Sequence, residues 1–145
     1  MSTSRETARD ALVTLLGTAL VGAGLPVKTV TGSKVDSLEG LTPLVSVLSS
    51  GSMRKRQTFQ GNDATFYFEV QVWVKQESTG WTNAQAEDAL DRIESLIAAT
   101  YEAAQSTDEW EDIYFSGRTN VMEVTVAGNS YYMERIPTIT WLAKS

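Results

Sequence analysis

The chain contains no cysteine and no histidine. A disulfide framework and thiolate chemistry are therefore excluded, as are Ser-His-Asp and Cys-His nucleophile arrangements and Cys/His zinc sites. Carboxylate-bound magnesium, paired-carboxylate hydrolysis and Lys or Tyr chemistry remain, and each would need a convergent set of residues. Basic residues are also scarce, 12 against 18 acidic, giving a net charge of −6 and a pI near 4.6. Non-specific nucleic-acid binding, which relies on Lys and Arg neutralising phosphates, is a poor fit to that balance. No long hydrophobic run is present. The nearest, Leu12 to Leu25, is interrupted by Thr14, Thr18 and glycines and preceded by Glu6 and Asp10. It lacks the positive flank of a signal peptide and is too short and polar to span a bilayer. These features predict a soluble protein made in the cytoplasm, with no membrane partner. At 145 residues and 42% hydrophobic, the chain reads as one domain, 1–145, with a single core.

What is present is clearest between Thr65 and Ala104. Phe66, Phe68, Val70, Val72 and Val74 share one parity, and Tyr67, Glu69, Gln71, Trp73 and Lys75 the other. This period of two predicts a half-buried strand. After Ser78-Thr79-Gly80 the period becomes helical. Ala86, Ala89, Leu90, Ile93, Leu96, Ile97, Tyr101 and Ala104 form one stripe, with Glu87, Asp88, Asp91, Glu94 and Glu102 largely off it. Thr82 and Gln85 have capping-box spacing.

An earlier helix is predicted over Ser4–Leu20, with Thr3 and Glu6 as its capping box and Ala8, Ala11, Leu12, Leu15, Leu16 and Ala19 as its apolar face. Gly22 and Gly24 stop it, and Pro26 blocks a restart. Val27–Thr31 and Leu44–Ser49 read as short strands, and the polar stretch Ser49–Asp63 as a long flexible loop between strands. Ile113–Ser116 reads as a further short strand. Val121–Val126 and Tyr131–Leu142 form a closing hairpin around a Gly-Asn turn, with Pro137 at a break or an edge position. The order predicts an α+β domain: a mostly antiparallel mixed sheet with two long helices packed on one face, plus a long β-hairpin loop.

Several residue groups are candidates for contact with partners. Arg54, Lys55 and Arg56, with Phe59 nearby, suit docking on an acidic protein surface and equally suit a solvated tip. DNA phosphates are a weaker match. Asp108 and Glu109, then Glu111 and Asp112, flank Trp110. Without ion-binding loop spacing, they read as a solvated acidic turn or an interface with basic groups. Tyr67 and Trp73 lie on the polar parity of their strand and mark a subunit interface if no helix covers that face. Glu123 and Glu134 straddle the closing hairpin and are placed to face each other. With Arg118 and Arg135 close by, a cross-strand ion pair is the ordinary outcome, ahead of acid-base catalysis. Gly22, Gly24 and Gly32 match no phosphate-binding fingerprint. No catalytic, cofactor or metal site is predicted.

The whole arrangement, about Thr7 to Leu142, resembles the tail-terminator proteins of long-tailed bacteriophages, the lambda-type family. The resemblance rests on the N-terminal helix, the Ser49–Asp63 hairpin loop, the Phe-Tyr-Phe-Glu-Val-Gln-Val-Trp-Val strand, the Ala86–Ala104 helix and the hairpin ending Ile-Pro-Thr-Ile-Thr-Trp-Leu. It implies a non-enzymatic virion protein, assembled in the host cytoplasm, that forms a hexameric ring. The ring sits at the head-proximal end of the tail, caps the tail tube protein and meets a neck or connector protein. DNA passes through its lumen without specific binding. A head–tail connector or neck completion protein is the alternative within the same class, and a small α+β enzyme or ligand-binding module the alternative outside it. Residues 1–75 carry eight basic and six acidic side chains, and residues 76–145 carry four and twelve. That asymmetry suits a head-to-tail interface between neighbouring subunits.

Overall fold

The computed structural model describes residues 4–34, 38, 40–58, 61–76 and 82–143. Two helices and six strands follow in the order α1 (Arg5–Leu20), β1 (Thr29–Thr31), β2 (Leu44–Thr58), β3 (Gly61–Lys75), α2 (Asn83–Ala103), β4 (Asp112–Phe115), β5 (Asn120–Val126) and β6 (Asn129–Leu142). The strands form one mixed sheet in the order β1-β2-β3-β6-β4, with β5 also on β6. Among the described strands the β1–β2 pairing is parallel and the others are antiparallel. The fold class is α+β, as the sequence predicts.

Both helices cover one face of the sheet, and the parity of β3 fixes which. Phe66, Phe68, Val70, Val72 and Val74 are all buried there with Ala64. They meet Ala8, Leu12, Leu16 and Leu20 of α1 and Ala86, Leu90, Ile93, Ile97 and Tyr101 of α2 in a single core. The α2 capping box forms as its spacing predicts. The Thr82 N–H donates to Gln85 Oε1 (2.8 Å), and the Gln85 N–H to Thr82 Oγ1 (3.4 Å). The cap of α1 is Ser4, whose hydroxyl accepts from the Thr7 N–H at 3.1 Å. The predicted Thr3–Glu6 box involves a residue outside those described. The helix ends at Val21, and the chain turns through Gly22 (φ 147°) and Gly24 (φ 77°). The first strand is shorter than predicted. Val27 makes an isolated bridge to Val21, and regular pairing begins at Thr29.

The largest departure is the segment read as a loop. Residues 49–58 and 61–63 are strand, and β2 and β3 form one long arm. Its register places Met53 opposite Thr65, Arg54 opposite Ala64, Lys55 opposite Asp63 and Arg56 opposite Asn62. The side chains of β2 from Ser52 to Lys55 are exposed on both faces. No apolar alternation therefore marks this strand, which owes its conformation to the hydrogen-bonded partner β3. A register shift between Ser49 and Gly51 leaves Ser50 as a bulge.

The closing hairpin forms, but its two-residue turn is Ala127-Gly128 rather than Gly-Asn, because Val126 pairs with Asn129. The φ values, 51° at Ala127 and 80° at Gly128, are both positive, as a type I′ turn requires. Pro137 lies within a central strand, not at an edge. The β5 pairing ends at Arg135 and the β4 pairing begins at Thr138. The Pro137 carbonyl accepts from the Ser116 N–H at 2.8 Å on the same side. The missing proline N–H thus faces the gap between β5 and β4, where no ladder hydrogen bond is lost.

Candidate functional site

The face of the sheet away from the helices holds a chain of polar contacts. Trp73 Nε1 donates to Gln71 Oε1 (3.3 Å), Gln71 Nε2 donates to Glu69 Oε2 (2.5 Å), and Arg135 Nε pairs with Glu69 Oε1 (3.3 Å). A strand supplies such a chain because residues i, i+2 and i+4 share a face. The cross-strand ion pair expected between Arg135 and the hairpin glutamates is replaced by this pair with Glu69 of β3. Tyr67, Glu69, Gln71 and Trp73 are all partly exposed and uncovered by helices, which meets the condition set for an interface. At one end this face carries a small second core of Leu38, Leu44 and Tyr131. Trp73 packs edge-on against Tyr131 there, with ring centroids 6.3 Å apart. At the other end, beside the gap at Pro137, a cleft of about 340 Å³ is lined by Tyr67, Glu69, Ser116, Arg118, Asn120 and Arg135. Arg118 and Arg135 both line it, the latter already paired with Glu69.

The basic cluster sits on the β2–β3 arm. The Arg54 guanidinium lies over the Phe66 ring, 5.4 Å from its centroid, on the helix side of the sheet. Arg5 at the start of α1 donates from Nη1 to Ser52 Oγ at 3.3 Å, tying the helix to the base of the arm. Lys55 is exposed on the other parity, and Arg56 follows it in the ladder. Phe59 lies outside the described residues.

The acidic segment divides. Asp108 and Glu111 are exposed and Glu109 and Asp112 partly exposed, but Trp110 is 1% exposed. Its indole N–H donates to the Ala104 carbonyl at 2.9 Å, and its ring joins the main core. Trp110 is therefore a core residue and not the interface residue expected: it locks the end of α2 to the start of β4. Asp112 accepts from Gln105 Nε2 (3.3 Å). Among the described residues no group of acidic side chains is arranged to hold a metal ion.

Glu123 and Glu134 do not face each other. The register sets Glu123 opposite Tyr132 and Glu134 opposite Val121. The partner of Glu134 is instead Glu94 of α2, half-buried beside the apolar stripe, with the Thr119 hydroxyl donating to Glu94 Oε1 at 3.1 Å. Glu134 is 2% exposed. Burial first, then the hydrogen bond to Glu94 and the nearby charges of Glu94 and Asp91, push its carboxyl up to about 8, against a smaller downward pull from Thr119. Glu134 is thus held protonated beside Glu94. The parity of β6 held the signal: Glu134 falls in step with Tyr132, Ile136, Thr138 and Thr140, all buried. Glu134 lies buried beneath α2, and with Glu94 it reads as a structural feature. Among the described residues no helix is long and apolar enough to cross a membrane. Compared with known proteins, the chain matches no protein-family model and no curated sequence.

Proposed function

We propose that this chain is a structural assembly protein, a tail terminator that forms a ring on the head-proximal end of a phage tail tube. In this reading it stops tube polymerisation, offers a surface to a neck or connector protein and performs no catalysis. The observation that carries it is the one-sided architecture. Helices cover one sheet face, while the other face, both outer strand edges and a long basic arm are left for neighbours. Partly exposed aromatic and charged side chains on that open face, Tyr67 and Trp73 beside Glu69 and Arg135, have the mixed chemistry of subunit interfaces. The arm carrying Arg54, Lys55 and Arg56 is suited to reach a second protein, the tube subunit. Electron microscopy of particles assembled without this protein tests the reading. Overlong tubes are the expected result, whereas tails of normal length lacking heads would assign the protein to the neck instead.

A further inference from the structure

The sheet is open, and among the described residues the outer edges of the β2 arm and of β5 lie unpaired within one chain. β1 covers β2 only from Leu44 to Ser46. Beyond that, among the described residues, the outer edge of β2 from Val47 to Thr58 has no strand beside it. At the far side, among the described residues, β5 pairs with β6 and with no other strand. Unpaired edges of this kind are templates for strand addition.

The registers show which backbone groups point outward. The two-residue turn makes Val126 and Asn129 the closing hydrogen-bonded pair, so Val121, Glu123 and Thr125 direct their N–H and C=O groups away from β6. The Ser116 N–H bonded to the Pro137 carbonyl confirms that odd-numbered residues of β6 face this side. On β2, the Lys28 N–H bonded to the Pro43 carbonyl gives the outward parity. With the shift at Ser50, that parity passes to Ser52 and Arg54 on the arm.

We propose that the outer edge of β2 pairs with the outer edge of β5 in a second copy of this chain, carrying one sheet from subunit to subunit. The inference rests on the ring-forming reading and names its interface. The two edges each expose an apolar side chain, Met53 (54%) on the open face of β2 and Val121 (51%) on the helix-covered side of β5, so the match between them is one of charge. Arg54 and Glu123 lie on the same, helix-covered side of the sheet, so a continuous sheet brings opposite charges together on one face. Two different edges meeting head to tail give a heterologous contact, the kind that closes a ring. The Ser50 bulge and the charges on the arm select this partner over indiscriminate strand pairing.

Proline at an outward-facing position deletes the N–H offered to the neighbour and leaves the ladder to β6 intact. Sedimentation velocity and light scattering on the full chain are therefore to be compared for wild type, Glu123→Pro and Thr125→Pro. The wild type is expected to assemble, and each variant to associate roughly five- to tenfold more weakly with unchanged far-ultraviolet circular dichroism. Should the prolines disturb folding, Glu123→Arg is expected to weaken association, and pairing it with Arg54→Glu to restore it. A wild type that stays monomeric at the highest attainable concentration, or variants that fold and assemble like wild type, would overturn the proposal. Overlong tubes without the protein, together with unaffected assembly of the edge variants, would refute this interface alone. Edge-dependent assembly without any effect on tail length would refute the terminator reading alone.

Discussion

Replacing Glu134 by glutamine isolates one carboxyl and gives its contribution a sign. In the folded protein Glu134 holds its proton up to about pH 8, whereas its ordinary value is 4.5. Between those limits the folded state binds a proton that the unfolded chain has released. Stability must therefore fall as pH rises through this window and level off above it. Each unit of displacement is worth about 1.4 kcal/mol, so the whole interval would amount to about 5 kcal/mol if the site were sealed. It is not sealed: Glu94 is half-buried and Asp91 exposed. Solvent screening of that kind brings the expected loss nearer 2–3 kcal/mol.

Glutamine keeps the shape and can donate to Glu94, but it does not titrate. Glu134→Gln should match the wild type near pH 5 and exceed it by about 2–3 kcal/mol at pH 8. Urea unfolding at fixed protein concentration, at pH 5, 6.5 and 8, measures this directly. In melting temperature the gain at pH 8 corresponds to roughly 3–5 °C per kcal/mol. Parallel pH profiles for the two proteins would refute the argument, as would a variant equally destabilised at every pH. In the first case another group titrates; in the second Glu134 is a packing residue whose charge is irrelevant.

Trp110→Ala should destabilise the fold by about 3–5 kcal/mol in denaturant titration, because a fully buried indole and its bond to Ala104 are lost together. An effect on assembly with stability unchanged would contradict its place in the core. Replacing Arg54, Lys55 and Arg56 together by Ser should leave the circular dichroism spectrum intact and weaken attachment to tail tubes. Capping by the triple variant at the wild-type level in raised salt would exclude a docking role for the arm.

Elements that bury one face were legible because burial imposes a period. The β3 alternation and the α2 stripe appear in the structure at the predicted residues, and the capping box at Thr82–Gln85 marks the start of α2. The arm was not legible for the converse reason. Residues 52–55 bury neither face, so no period marks them, and their conformation comes from the partner strand. The turn was misplaced by one residue because Ala127 adopts a positive φ that β-carbon sterics normally disfavour. Trp110 read as a surface residue because carboxylates flank it in sequence. Its burial depends on the bend from α2 into β4, which no local pattern encodes. Glu134 stands out in the sequence, but its partner Glu94 lies on another element 40 positions away, beyond the reach of hairpin parity.

Charge shows how sequence and structure divide the same residues differently. Along the chain, positive charge gathers in the first half and negative in the second. In the fold, each layer carries both signs, with Arg5 and Arg9 on α1, Arg92 on α2 and Glu69 on the open face, but the acidic excess collects on α2. Glu87, Asp88, Asp91 and Glu102 are exposed on α2, in the helix layer. Arg135, with Lys55 and Lys75, lies on the opposite sheet face, and Arg118 joins Arg135 at the cleft. Exposed ion pairs contribute only about 0–1 kcal/mol each. In the proposed ring, charge therefore orients subunits, while strand pairing and apolar contact supply the affinity. The acidic helix layer has a further consequence if it borders the lumen: it repels DNA phosphates and lets a genome slide past. Lys75 and Arg135 on the other face, and the basic residues of the arm, are then left to face protein.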